Sequence, residues 1–129
     1  MVAADQASKW VVRHEASRLP LHLVGRLSIE LFQNRGISFS QFSHDGAIIR
    51  VVVAAVVAVV AAALVLLPRR YACAVALILG GSASNLIDRL RFGYALDFVS
   101  AWGWPTFNLA DVAIVAGAAA LALLVITAE

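Results

Sequence analysis

The sequence predicts an all-α membrane protein, a helical transmembrane bundle that forms one domain over residues 1–129. The chain is 62% hydrophobic and only 14% charged, whereas soluble domains are about 45–50% apolar and about 25% charged. Three apolar runs occupy residues 47–67, 71–90 and 107–128. Each is close to the roughly 20 residues that a helix needs to cross a bilayer. Three such runs cannot close a β-barrel, so the spans are predicted to be helical.

Residues 1–12 are predicted to be part of a further span at the amino end. Asp5 and Lys9 are four residues apart, so they share one face of a helix and can pair. The simplest interpretation of this pair is an exposed helical ion pair.

The least hydrophobic third of the chain contains the candidate β-structure. Residues 27–33 alternate between apolar and polar side chains, which is typical of a strand. The turn signal Asn34-Arg35-Gly36 follows, and residues 37–42 alternate again. We expect a hairpin or small sheet outside the hydrocarbon, with an ordinary connecting loop as the alternative.

Composition argues against several kinds of function. The net charge is +2 and the basic residues are scattered, so no nucleic-acid surface is expected. One cysteine cannot form a disulfide within the chain. The three histidines, His14, His22 and His44, are not at ligand spacing. We therefore expect neither a metal nor another cofactor.

Polar residues concentrate where the last two spans approach one membrane edge. Asn85, Asp88 and Arg89 fall at i, i+3 and i+4, so they share a helix face. Asp97 lies between the spans, and the first turn of the last span carries the remaining polar positions, which are Asn108 and Asp111. Ionisable groups beside a span are costly and therefore suggest a functional site.

Packed antiparallel, the two spans would gather three aspartates, Asp88, Asp97 and Asp111. Two close carboxylates share a proton, so one can act as base on a water while the other donates to a scissile carbonyl. Each aspartate also has a simpler interpretation. Asp88 could pair with Arg89 and cap the span, Asp111 could begin a helix, and Asp97 could be a solvated loop residue.

Five short blocks, in order, give the chain a resemblance to a known family. They are Asp5-Gln6-x-x-Lys9, Asn34-x-Gly36-x-Ser38-Phe39-Ser40, Gly80-Gly81-x-x-x-Asn85-x-x-Asp88-Arg89, Leu96-Asp97-Phe98 and Phe107-Asn108-x-Ala110-Asp111. They resemble the signature blocks of the bacterial lipoprotein signal peptidases, also called signal peptidase II, and the resemblance covers residues 5–114.

This resemblance implies a four-span aspartic endopeptidase of the bacterial inner membrane, with its catalytic edge and small sheet on the extracytoplasmic side. It would remove signal peptides from diacylglyceryl-modified prolipoproteins, before the lipidated cysteine. The implied partners are these substrates, membrane lipids and the inhibitor globomycin. The implied catalytic pair is Asp97 and Asp111. The implied supporting or substrate-binding positions are Asp5, Lys9, Asn34, Gly36, Asn85, Asp88, Arg89 and Asn108.

The chain departs from the family pattern at two places. Ser84 stands where the family usually has glycine, and we expect this small side chain to preserve close packing. The first span is nearly absent, so we expect the natural protein to begin upstream of Met1 and the 129-residue form to be poorly active.

The Lys and Arg count also conflicts with the implied orientation, because most of these residues lie on the catalytic side. The basic turn at Arg69 and Arg70 favours the family orientation. The alternative function is an inactive truncated relative, or a non-enzymatic membrane protein that couples ions or protons through the same aspartates.

Overall fold

A computed structural model describes residues 1–36 and 46–127 of the protein. The described helices are α1 (Val2–His14), α2 (Gly46–Leu66), α3 (Ala72–Phe92) and α4 (Leu109–Ile126). The described strands are β1 (Leu21–Val24), β2 (Leu27–Asn34), β3 (Ala95–Ala101) and β4 (Trp104–Phe107). The strand predicted at 27–33 is therefore confirmed as β2. The strand predicted at 37–42, and the hairpin it would complete, lie outside the described residues.

Three helical segments are long and apolar enough to cross a bilayer: Gly46–Leu66, Arg69–Phe92 and Leu109–Ile126. The last of them coincides with α4, and the second adds a short 3₁₀ turn, Arg69–Tyr71, to α3. Ile49 is the one buried residue among the described side chains of α2. Such an apolar outer surface suits contact with lipid rather than water.

Close contact between α3 and α4 depends on two glycines. A Cβ atom built on Gly81 would collide with the carbonyl oxygen of Ala110 and lie 2.7 Å from Cγ1 of Ile114. A Cβ atom on Gly117 would lie 2.7 Å from the carbonyl oxygen of Ala74. Without side chains at these points, the two backbones pack directly, as is common between helices in lipid. This packing fixes the start of α4 beside the middle of α3, around Gly81.

The four strands form one antiparallel sheet in the order β1-β2-β3-β4. The β-structure is thus more extensive than the sequence predicted, because β3 and β4 were not expected after α3. The alternation rule missed β3 because both of its faces are largely buried, so polar and apolar residues do not alternate along it.

A sharp turn brings this sheet back to the helices. α3 ends at Phe92 and is capped by Gly93, which has a φ of 81°, a left-handed conformation that glycine adopts without strain. The chain then enters β3, where Leu96 and Phe98 pack against Val12 of α1. The sheet, α1 and the ends of α3 and α4 therefore meet at one end of the bundle.

Candidate active site

Asp97 and Asp111 meet around a single asparagine. Asn108 donates from Nδ2 to Oδ1 of Asp97 at 2.8 Å. Its backbone N–H donates to Oδ2 of Asp111 at 3.0 Å. Asp97 lies on β3 and is only 2% exposed, so the interpretation of Asp97 as a solvated loop residue is wrong. The two carboxylates are brought together from a strand and a helix.

The first turn of α4 holds Asp111 through a capping box. Asn108 is the N-cap in extended conformation, and its side-chain oxygen accepts the backbone N–H of Asp111 at 2.9 Å. The Asp111 carboxylate in turn accepts the backbone N–H of Asn108. This reciprocal pair satisfies two backbone donors that a helix start would otherwise leave free. The interpretation of Asp111 as a helix-start residue is thus correct, and it is compatible with a role in chemistry.

Two further asparagines complete an amide cage around the carboxylates. Asn34 at the end of β2 donates to Oδ2 of Asp97 at 3.0 Å. Asn85 on α3 donates to Oδ1 of Asp111 at 2.9 Å. Each of the four carboxylate oxygens therefore accepts at least one amide N–H, which holds both groups in fixed orientations.

Burial makes Asp97 an unusual acid. Burial, and secondarily the negative charge of Asp111, raises the pKa of Asp97 from 3.8 to about 7. The hydrogen bonds from Asn34 and Asn108 act in the opposite direction but do not cancel this rise. A carboxyl group with this pKa can hold or release a proton near neutral pH, which suits general acid–base chemistry.

A second cluster of charges lies behind the amide cage. Nζ of Lys9 is 2.6 Å from Oδ2 of Asp5 and 2.9 Å from Oδ2 of Asp88. It also donates to Oδ1 of Asn85 at 2.9 Å. The predicted pairing of Asp5 and Lys9 is confirmed, but their interpretation as an exposed pair is wrong, because both side chains are fully buried.

The predicted pairing of Asp88 with Arg89 is also wrong. Among the described residues, the ion-pair partners of Asp88 are Lys9 and, at 3.9 Å, Arg13. Arg89 instead donates to two backbone oxygens, that of Gly36 at 2.8 Å and that of Asn85 at 3.3 Å. Residues i and i+1 point in different directions on a helix, so neighbours in sequence on α3 serve two separate clusters.

The aspartates Asp97 and Asp111 line a cavity of about 350 Å³. Its other walls come from the ends of β2 and α3, from β4 and from the first turns of α4. They are Asn34, Arg89, Trp104, Pro105, Thr106, Phe107, Ile114 and Val115. The cavity combines an apolar wall with a carboxylate pair, so it can receive a mainly apolar peptide segment beside the two carboxylates. Asp88 does not line this cavity.

Sequence reasoning gave little weight to two residues of the buried cluster. Gln6 donates to Oδ1 of Asp88 at 3.0 Å, and Ser84 donates to Oδ2 of Asp5 at 2.7 Å. Ser84 lies one helix turn before Asp88 on α3. The four-residue spacing shows in the sequence that Ser84 and Asp88 share one face of α3. It does not show that this face meets α1.

These features define a class of protein: a membrane protein with a mostly helical fold and a small antiparallel sheet, in which a buried aspartate and a half-buried aspartate line one cavity, as an aspartic peptidase requires. The chain matches the family model described as signal peptidase (SPase) II over residues 1–127. It therefore belongs to the signal peptidase II family.

Relatives and solved structures agree with this membership. The lipoprotein signal peptidase of Moorella thermoacetica is 37% identical over 122 residues, which cover 91% of this chain and 81% of that protein. The enzyme of the same name from Paraburkholderia phymatum is 40% identical over 132 residues, covering 94% and 80%. Two solved bacterial membrane enzymes share the fold. The first has a TM-score of 0.87 at 18% identity, covering 98% of this chain and 82% of that one. The second has a TM-score of 0.79 at 19% identity, covering 96% and 86%.

Proposed function

We propose that this protein is a membrane endopeptidase that removes signal peptides from diacylglyceryl-modified prolipoproteins, cutting before the lipidated cysteine. Asp97 and Asp111 are the proposed catalytic pair. The observation that carries the proposal is the bridge through Asn108, which binds one carboxylate at 2.8 Å and the other at 3.0 Å beside a shared cavity. Membership of the signal peptidase II family supports the substrate class.

The two carboxylates take different roles in this proposal. Asp97 is the acid, because its pKa of about 7 lets it keep a proton at neutral pH. Asp111 is the base, because it lies in the first turn of α4, where the helix dipole stabilises an anion by about 0.3–1 kcal/mol. In many enzymes, two carboxyl groups act as acid and base because their surroundings differ, and the same division is proposed here.

Peptide cleavage then proceeds without a covalent intermediate. Asp111 removes a proton from a water molecule, and the water oxygen bonds to the scissile carbonyl carbon. Asp97 gives its proton to the carbonyl oxygen. The tetrahedral intermediate collapses when the carbon–nitrogen bond breaks: the amide nitrogen takes the proton held by Asp111, and one hydroxyl of the intermediate returns a proton to Asp97, which leaves a carboxylic acid and an amine. Because this scheme uses no metal, we expect cleavage to be insensitive to EDTA.

The supporting residues act by fixing the catalytic groups. Asn34, Asn85 and Asn108 orient the carboxylates through their amide donors. Arg89 ties the backbone at Gly36 to α3 at 2.8 Å, so the end of β2 is held beside the cavity. Asp5, Lys9 and Asp88 form the buried charge cluster that orients Asn85.

The proposal places the protein in the bacterial inner membrane as a multi-pass protein. The catalytic edge faces the extracytoplasmic side, and Arg69 and Arg70 mark the opposite end of α3. About 28 Å of helix separates Arg70 from Arg89, at 1.5 Å per residue, close to the roughly 30 Å of the hydrocarbon core. The proposed partners are lipid-modified prolipoproteins, membrane lipids and globomycin. Of these, globomycin is proposed to bind as an inhibitor in the cavity.

The decisive experiment is cleavage of a lipid-modified prolipoprotein in vesicles, with and without globomycin. Asp97→Asn and Asp111→Asn should each lower the rate by roughly 10²–10⁴-fold, the usual contribution of a positioned acid or base. Glu15→Gln is the matched control, because it replaces an exposed carboxylate that pairs with Arg18 and does not line the cavity. It should cleave like the wild type.

The outcomes separate the alternatives. A wild-type protein that inserts and folds but does not cleave the lipid-modified substrate would support an inactive relative or a non-enzymatic protein. Near-normal cleavage by either asparagine variant would remove that aspartate from the catalytic pair.

A further inference from the structure

Ser84 lies at the centre of the contact between α1 and α3. Its side chain is fully buried. The hydroxyl donates to Oδ2 of Asp5 at 2.7 Å and accepts from Nε2 of Gln6 at 3.0 Å. A hydroxyl has one donor and two acceptor positions, so its single proton is committed to the Asp5 carboxylate. Ser84 therefore fixes the orientation of that carboxylate.

The carboxylate of Asp5 reaches the helix that carries Asp111. Its Oδ1 atom accepts the backbone N–H of Ala110 at 2.9 Å. Ala110 is in the first turn of α4, where backbone donors have no partner within the helix. Asp5 on α1 thus caps α4 from outside, one residue before Asp111.

A second route runs from the same carboxylate through Lys9. Oδ2 of Asp5, the oxygen held by Ser84, is 2.6 Å from Nζ of Lys9. Lys9 donates to Oδ1 of Asn85, and Nδ2 of Asn85 donates to Asp111. Lysine can only donate, so it keeps the carboxamide oxygen of Asn85 toward α1 and its nitrogen toward Asp111. The first route ends at the backbone of Ala110, next to Asp111, and the second ends at the Asp111 carboxylate itself.

We propose that Ser84 is a positioning residue for peptide cleavage, whose hydroxyl sets the Asp5 carboxylate and through it the first turn of α4 and Asp111. The catalytic part of this inference rests on the proposed peptidase function. Ser84 does not line the cavity, so its contribution falls on the rate of the chemical step and not on substrate binding.

The first test measures kcat and KM of Ser84→Ala and Ser84→Gly on a lipid-modified prolipoprotein, per amount of monodisperse enzyme. Both variants should lower kcat about tenfold, equivalent to about 1.4 kcal/mol, with KM unchanged. Ser82→Ala is the matched control, because Ser82 is also buried on α3 but takes no part in this network. It should remain within about twofold of wild type, a change of about 0.4 kcal/mol. Wild-type kcat in either Ser84 variant would overturn the proposal.

A double-mutant cycle with Asp5→Asn tests the route. If Ser84 acts through Asp5, adding Ser84→Ala to Asp5→Asn should cause little further loss of kcat, because coupled residues are not additive. Independent effects would multiply and would contradict the proposed route.

Hydrogen exchange tests the same inference without relying on activity. The amide of Ala110 should exchange faster in Ser84→Ala than in wild type or in Ser82→Ala, because its carboxylate acceptor is less well held. Unchanged exchange at Ala110 would overturn the capping role of the pair. If the wild type does not cleave the substrate, the proposed function fails, and this measurement still decides whether Ser84 positions α4.

Discussion

Replacing Asp97 by asparagine should lower the rate of cleavage by roughly 10²–10⁴-fold and also remove a pH dependence of stability. Burial, followed by the charge of Asp111, raises the pKa of Asp97 from 3.8 to about 7 in the folded protein. In the unfolded chain this carboxyl group titrates near its ordinary value. The folded state therefore holds the proton more tightly. Its stability is greatest below the unfolded pKa and falls as the pH rises towards about 7.

The size of this effect follows from the two pKa values. A gap of about three units corresponds to about 4 kcal/mol in total. Roughly 3 kcal/mol of that develops between about pH 5 and about pH 8. Asparagine cannot ionise, so this slope disappears. The substitution also leaves one donor unpaired, since Asn34 and Asn108 donate to different oxygens of Asp97 and a carboxamide can accept at only one. That loss costs about 1–3 kcal/mol at every pH.

The assay is denaturant unfolding of wild type and Asp97→Asn in the same lipid–detergent mixture, repeated from about pH 5 to about pH 8. Wild type should lose roughly 3 kcal/mol across this range relative to the variant. Glu15→Gln, an exposed carboxylate change, serves as the control and should keep the wild-type slope. Equal slopes for wild type and Asp97→Asn would refute the assignment of the raised pKa to Asp97.

Three further predictions concern the support around the pair. Lys9→Met should lower the folded yield in membranes, because breaking a buried ion pair typically costs about 3–5 kcal/mol; a normal yield would contradict its buried position at 0% exposure. Arg89→Ala should lose more activity than Arg89→Lys, since lysine can keep one of the two backbone contacts; equal activities would count against this anchoring role. Gly81→Ala should destabilise the α3–α4 contact by about 1–3 kcal/mol, measured by thermal unfolding against Gly46→Ala, where the one atom of the described residues that a Cβ atom would approach is Nη1 of Arg50, at 4.0 Å. A Gly81→Ala protein as stable as that control would show that the helices can separate freely.

The sequence alone was sufficient to predict the three long apolar helices. The apolar runs at 47–67, 71–90 and 107–128 correspond to the helices at 46–66, 72–92 and 109–126. Long runs of apolar residues have one low-energy arrangement in lipid, in which every backbone hydrogen bond is made within a helix. The capping of α4 was also local, because Asn108 and Asp111 are three residues apart.

Only the tertiary structure decided which polar groups meet. β3 carries no alternating pattern because neighbours cover both of its faces, so the burial of Asp97 could not be read from its own segment. The partner of Asp88 proved to be Lys9, 79 positions earlier in the chain, and not the adjacent Arg89. Sequence spacing defines which residues share a helix face, but the rotation of α3 relative to α1 is set by long-range packing. A buried charge is stable only when an opposite charge lies beside it, and this packing places Asp5 and Asp88 beside Lys9. Lys9 is therefore the centre of a buried cluster and not a surface residue.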